Sequence, residues 1–229
     1  MKPTFTKLKK VFIVVVMITI AFGGYVFIVN RNSVNMTGRQ KVLKAVYPMF
    51  AWLNKVSHKN TNILSNNKIM PPVSFYSLKA VLNDGAALDL ASLKGKKILL
   101  VNTASNCGYT AQYDQLQKLY NQYANELVVI AFPANDFKEQ EKGTDSDIAQ
   151  FCKLNYGISF PLIQKSTVIK KPGQHPVFQW LTDPAKNGWN SQAPTWNFSK
   201  YLVNEDGMLT HYFGPAIEPM SEEILKAMR

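Results

Sequence analysis

The sequence predicts an α/β domain with a central mixed sheet flanked by helices, preceded by one transmembrane helix. Three observations predict it. Two uninterrupted apolar runs, Ile98-Leu99-Leu100-Val101 and Leu127-Val128-Val129-Ile130-Ala131-Phe132, read as strands covered on both faces. Between them, apolar positions 113, 116, 119, 120 and 123 follow the i, i+3, i+4 spacing of one helix face, so strand, helix and strand form a βαβ unit with a parallel pair. Near the N-terminus, Val11 to Val29 is nineteen residues without a charge. At about 1.5 Å per residue, that just spans a hydrocarbon core of about 30 Å.

Charge divides the chain. The net charge is +11, and residues 1–75 carry eleven of the 26 Lys and Arg with no Asp or Glu. From residue 76 onward, fifteen basic residues face fifteen acidic ones, so the domain is formally neutral. A nucleic-acid groove draws its basic residues from the folded domain, and this excess lies outside it, which argues against a nucleic-acid partner. Two cysteines exclude a disulfide-dense scaffold and a four-cysteine zinc site. His58, His175 and His211 are scattered without metal-ligand spacing, so no metal is expected.

Four segments follow. Residues 1–10 are a basic N-terminal segment and 11–29 a membrane anchor. Residues 30–72 hold a basic amphipathic helix and a linker, and 73–229 the domain. The length of the apolar run and the lack of an Ala-x-Ala site favour an uncleaved anchor over a cleaved secretory signal. Basic residues on both sides of the span nearly balance, leaving the orientation open with a slight lean to an extracytoplasmic domain. In Gly38 to Ser57, Val42, Leu43, Val46, Tyr47, Phe50 and Leu53 form an apolar face, and Pro48 should kink the helix. This helix suits the headgroup plane of anionic lipid, or equally the domain's own surface. Asn60 to Pro72 reads as the linker.

Within the domain, Ser77 to Leu90 reads as a hairpin turning at Asn83-Asp84-Gly85, and Lys200 to Phe213 as another turning at Asn204-Glu205-Asp206-Gly207. Thr144, with Asp147 three residues on, opens a helix over 145–155. Short helices are expected over His175 to Leu181 and Glu222 to Met228.

Cys107 stands at the junction between the first strand and the following helix, in Ser105-Asn106-Cys107-Gly108-Tyr109-Thr110. Unpaired N–H groups and the positive end of a helix stabilise a thiolate there. A small cysteine filling a buried turn fits the same position.

From about Phe75 to the C-terminus the chain resembles the glutathione peroxidase family of thiol peroxidases. The resemblance rests on Val101 to Thr110; Phe132 to Phe137 running on to Gln140-Glu141-Lys142-Gly143; Phe151 to Pro161; and Trp196 to Val203. It implies a thioredoxin-like fold and a tetrad of Cys107, Gln140, Trp196 and Asn197. In such a tetrad a thiolate attacks a peroxide oxygen, and amide and indole N–H groups stabilise the sulfur anion and orient the peroxide without adding a base.

The implied activity is thiol-dependent reduction of hydrogen peroxide and of organic or lipid hydroperoxides in the oxidative stress response. No cofactor is expected; the reductant is a thioredoxin-like protein or glutathione. The family often has a cysteine where this chain has Ala134, which leaves Cys152 as the candidate resolving thiol. Cys152 also shares an apolar helix face with Ile148 and Phe151, as a core cysteine would. Leu100 and Ala104 stand where a peroxiredoxin motif needs Pro and Thr. Thr110 and Ala111 stand where a disulfide oxidoreductase and a copper-delivery protein, respectively, need a second cysteine. The remaining alternative is a membrane-tethered redox sensor without significant turnover.

Overall fold

The computed structural model describes residues 5–66 and 68–229; residues 1–4 of the basic segment, Lys2 among them, lie outside the described residues. In chain order the elements are α1 (Phe5–Val29), α2 (Gly38–Ser57), β1 (Ile63–Ser65), β2 (Lys79–Val81), β3 (Ala87–Asp89), β4 (Lys97–Thr103) and α3 (Gln112–Gln122). They continue with β5 (Leu127–Pro133), α4 (Asp145–Tyr156), α5 (Pro176–Leu181), α6 (Pro184–Asn187), β6 (Lys200–Val203), β7 (Leu209–Phe213) and α7 (Glu222–Ala227).

The main sheet has the order β1-β7-β6-β4-β5, with β4 and β5 parallel and the other neighbours antiparallel. β2 and β3 form the separate hairpin expected around Asn83-Asp84-Gly85. Strand pleating sends alternate residues of β4 to opposite sides. Leu99 and Val101 pack with Tyr113, Leu116 and Leu119 of α3, Ile148 and Cys152 of α4, and Ile224 of α7. Ile98 and Leu100 pack with Val177, Phe178 and Trp180 of α5, and with Phe75, Ala80 and Leu90. All seven residues of β5 are buried, which accounts for its unbroken apolar sequence.

Helix ends follow local chemistry. Thr144 and Asp147 exchange both bonds of a capping box at the start of α4, and Gly157 closes that helix at φ +60°. Thr37 and Gln40 form a second box at the start of α2.

α2 continues through Pro48 and packs on the domain. Tyr47 is buried and its hydroxyl donates to Glu218 Oε1 at 3.2 Å, while the Phe50 and Tyr109 rings lie 5.0 Å apart. Of the two surfaces open to it from sequence, the inner face of α2 takes the domain's. The other face, with Val42, Met49, Trp52, Leu53 and Val56, is exposed.

One strand was unexpected. Ile63–Ser65 lies inside the stretch read as linker and pairs antiparallel with the outer edge of β7, Leu64 opposite Tyr212. Three residues are too few to show a periodicity, and β1 is called up by the unpaired edge of β7.

Candidate active site

Cys107 sits in the turn that carries the chain from the C-terminal end of β4 into α3, and Thr110 fixes that turn. The Thr110 hydroxyl donates towards Ala104 O and Cys107 O, each at 2.8 Å, and accepts from the Cys107 N–H at 3.0 Å. With the loop held this way, the Tyr109 N–H points at Cys107 Sγ, 3.4 Å away. The Gly108 backbone and the Trp196 and Asn197 side chains stand near enough to the sulfur to pull its pKa down.

Trp196 and Asn197 arrive on the segment preceding β6, which is tied to the end of β4. Asn102 Nδ2 donates to Trp196 O at 3.1 Å, and the Phe198 N–H donates to Asn102 O at 2.6 Å. Phe198 adopts φ +67°, a left-handed backbone that a bulky residue takes only where its surroundings impose it. Behind it, Lys200 is fully buried and its ammonium donates to the carbonyls of Phe198, Pro215 and Ile217 at 2.8, 3.2 and 2.6 Å. Burial pushes the Lys200 pKa well below its ordinary value. The Trp196 ring rests on Phe137, centroids 5.5 Å apart, with the Lys138 ammonium 5.6 Å from its centre.

Gln140 comes from the loop after β5, where Lys138 and Glu139 both adopt positive φ. Its Oε1 accepts from Asn197 Nδ2 at 3.0 Å, and its backbone carbonyl accepts from the Asn106 N–H at 3.1 Å. Here Gln140 therefore holds Asn197, and Asn197 stands near the sulfur. Glu141, next in sequence, is buried and accepts from the Ser105 N–H at 2.8 Å and the Ser105 hydroxyl at 3.1 Å. Burial raises its pKa to about 7. Thr110, Glu141 and Lys200 are site-building residues that the sequence reading did not single out. Lys200 carried a signal: a charged residue opening the otherwise apolar run Tyr201-Leu202-Val203.

The structure thus gathers Gln140, Trp196 and Asn197 about the Cys107 loop, with Gln140 bonded to Asn197 and, through its carbonyl, to the Asn106 N–H. Cys107 is only 1 % exposed. Burial pushes the Cys107 pKa up, and the four donors around it pull it down; burial is the larger effect. The burial of Cys107 agrees with the buried-turn reading that the sequence left open beside the thiolate one. Gln40, Leu43 and Lys44 of α2 lie across Cys107, leaving a space of about 10 Å³.

Cys152 stands apart from this cluster. It is fully buried on the inner face of α4, and burial drives its thiol to about 12. Both cysteines are free thiols.

The family model described as GSHPx, glutathione peroxidase, matches residues 75–182. The glutathione peroxidase of Lactococcus lactis is 41 % identical over 159 residues, which cover 68 % of this chain and all of that protein. The chain belongs to the glutathione peroxidase family. A glutathione peroxidase-like peroxiredoxin of Saccharomyces cerevisiae is 39 % identical over 158 residues, covering 66 % of this chain and 96 % of the yeast protein. Among solved structures, the apo form of Trgpx superposes with a TM-score of 0.53 at 29 % identity, covering 69 % of this chain and 96 % of that one. The fold is thioredoxin-like, as the resemblance implied. As a member of this family the protein is a glutathione peroxidase-like thiol peroxidase.

Proposed function

We propose that Cys107 is the peroxidatic cysteine and that Gln140, Trp196 and Asn197 serve it, reducing hydrogen peroxide and organic or lipid hydroperoxides. The observation that carries this is the Tyr109 N–H aimed at Cys107 Sγ from 3.4 Å, with Asn197, bonded to Gln140, and Trp196 near enough to lower the thiol's pKa. Donors aimed at a sulfur anion stabilise the thiolate in proportion to its charge, and the same groups orient the peroxide. The thiolate attacks the distal peroxide oxygen, the S–O bond forms as the O–O bond breaks, and the alkoxide or hydroxide leaves with a proton. The product is Cys107 sulfenic acid. A thiol then attacks that sulfur and releases water as a disulfide forms, and a second thiol returns Cys107 to its reduced state.

The first of those thiols is Cys152 or an external one. In its folded place Cys152 is protonated and enclosed, so resolution by it requires α4 to open locally. The reductant is a thioredoxin-like protein or glutathione. α1, 25 residues long with an apolar stretch from Leu8 to Val29, is long enough to cross a bilayer, and we assign it as the anchor of a single-pass membrane protein with an extracytoplasmic domain. An anchor brings the site close to lipid hydroperoxides.

The test uses the full chain in detergent with thioredoxin and its reductase, following hydroperoxide consumption. Cys107→Ser should abolish turnover, and full activity of that variant would refute the assignment. Peptide mass spectrometry after one equivalent of peroxide separates the two cycles: a 107–152 disulfide marks a two-cysteine enzyme, and a persistent sulfenic acid or thiol adduct marks a one-cysteine enzyme. A sensor without turnover would be oxidised once and consume no further peroxide.

A further inference from the structure

We infer that α2 is a lid over Cys107, and that an anionic bilayer surface draws it off so that the thiol is uncovered at the membrane. The inference rests on the reading of Cys107 as the reactive thiol and of α1 as the anchor. Both α1 and α2 precede the family match, which begins at residue 75. The lid is therefore an addition to the family domain.

The inner face of α2 makes the seal. Gln40 Nε2 donates to Ser105 O at 3.0 Å, two residues from the thiol. Phe50 covers Gly108 so closely that a Cβ there would stand 3.5 Å from the ring. Lys44 lies 5.0 Å from the centre of the Tyr156 ring, and both line the small cavity beside Cys107. The roughly 10 Å³ left beside Cys107 is about one water's worth and too small for an organic hydroperoxide. The site has to open to admit one.

The outer face supplies a reason to open. Met49, Trp52 and Val56 are 60, 61 and 60 % exposed, and with Val42 and Leu53 they repeat at i, i+7, i+10, i+11 and i+14, one continuous stripe. A helix with apolar residues on both faces cannot bury both while it lies on the domain. The occupant that fits the outer stripe is a bilayer interface. α1 delivers α2 to that interface, the two helices being joined by Asn30 Nδ2 to Lys41 O at 3.0 Å and by the Tyr25 hydroxyl to Ala45 O at 3.1 Å. Arg39 and Lys59 are exposed on or beside α2, with no acidic residue anywhere in 1–75, so the surface it meets is anionic; Lys55, at the other end, faces Glu222 of the domain.

The chain can turn at either end of α2. Asn35 stands before it, and His58 and Asn60 after it, all at positive φ. Val34 stays pinned to α4 by two bonds with the Asn155 side chain, at 2.8 and 3.0 Å, and serves as the fixed end.

The test reads thiol reactivity, so it can fail while the peroxidase reading stands, and it can succeed if turnover is absent. The full chain is placed in nanodiscs of phosphatidylcholine alone or mixed with phosphatidylglycerol, and the rate of Cys107 alkylation by iodoacetamide is followed by peptide mass spectrometry. Alkylation should be roughly tenfold or more faster on the anionic discs. Trp52→Ser with Val56→Ser, both exposed positions, should remove the lipid response and leave the slow rate on neutral discs. Phe50→Ala should raise the rate on neutral discs. Equal rates on both lipids, or no effect of Phe50→Ala, overturns the inference. A rate that follows protein density and ignores lipid charge gives the stripe to a second copy of the chain and overturns it as well.

Discussion

At the scale of single residues, the site sets burial against hydrogen bonding at one sulfur. Burial raises the pKa of Cys107, and Tyr109, Trp196, Asn197 and Gly108 oppose it with N–H donors. A hydrogen bond to a charged group contributes about 1.5–3 kcal/mol. Trp196→Phe and Asn197→Ala should therefore each lower kcat/KM for hydroperoxide by roughly ten- to a hundredfold. Each should also move the Cys107 titration, read by alkylation against pH, to higher pH. Gln140→Ala should give a smaller loss through Asn197, because Gln140 orients that side chain and is hydrogen-bonded to it.

Glu141 and His175 act on stability with opposite signs. Burial raises Glu141 to about 7 and lowers His175 to about 4. A carboxyl whose folded pKa is raised stabilises the fold below its unfolded value of about 4.5 and loses that contribution as pH rises through about 7. A histidine whose folded pKa is lowered contributes above its unfolded value of about 6.5 and loses it as pH falls through about 4. The two slopes offset one another across the shared window. Glu141→Gln leaves the His175 slope alone, so urea unfolding midpoints of that variant should climb between pH 4.5 and 6.5 more steeply than those of the parent.

At the scale of elements, β4 organises the site because it sits between β5 and β6 and ends beside Cys107. Its parallel partner β5 leads to Gln140, and its antiparallel partner β6 is entered through Trp196 and Asn197. Three strand ends at the same end of the sheet thus bring together residues up to ninety positions apart. At the far edge, β1 closes β7 although Ile63 and Leu64 are 40 % exposed, so its contribution lies mainly in the ladder it completes. A chain beginning at residue 70 lacks that strand and bares the edge of β7. Its thermal midpoint should fall, and its light scattering on heating should rise, relative to a chain beginning before Ile63.

At the scale of the whole molecule, an apolar helix, a covering helix and a peroxidase-family domain follow one another, and the positive charge is confined to the first third. α1 has no buried side chain in its apolar window, as a helix made for lipid requires. Alkaline carbonate extraction of cell membranes should leave the full chain in the pellet and release a chain lacking residues 5–29. A protein recovered without its first residues in the soluble fraction would instead mark α1 as a cleaved signal.

Much of the fold was legible because its signals are local. The apolar runs of β4 and β5 announce burial on both faces, the 3.6-residue spacing announces α3, Thr144 and Asp147 announce the start of α4, and α2 was read with both its bounds. The candidate site was legible only through four separated segments read together, since a lone Gln or Trp on a loop carries no chemical meaning by itself. β1 was illegible because its structure is borrowed from the edge of β7, which lies nearly 150 residues away.

By itself, the sequence determined a cysteine at a strand-to-helix turn, the residue types able to stabilise its anion, and an uncharged segment long enough for a bilayer. Only the tertiary structure decided that Gln140, Trp196 and Asn197 meet about the Cys107 loop, that Gln140 is bonded to Asn197, and that Cys152 lies enclosed in α4. It also decided that α2 turns one apolar face onto Cys107 and leaves another bare. The reason is that periodicity records how many faces of a helix are apolar, whereas what each face covers depends on contacts between segments far apart in the chain.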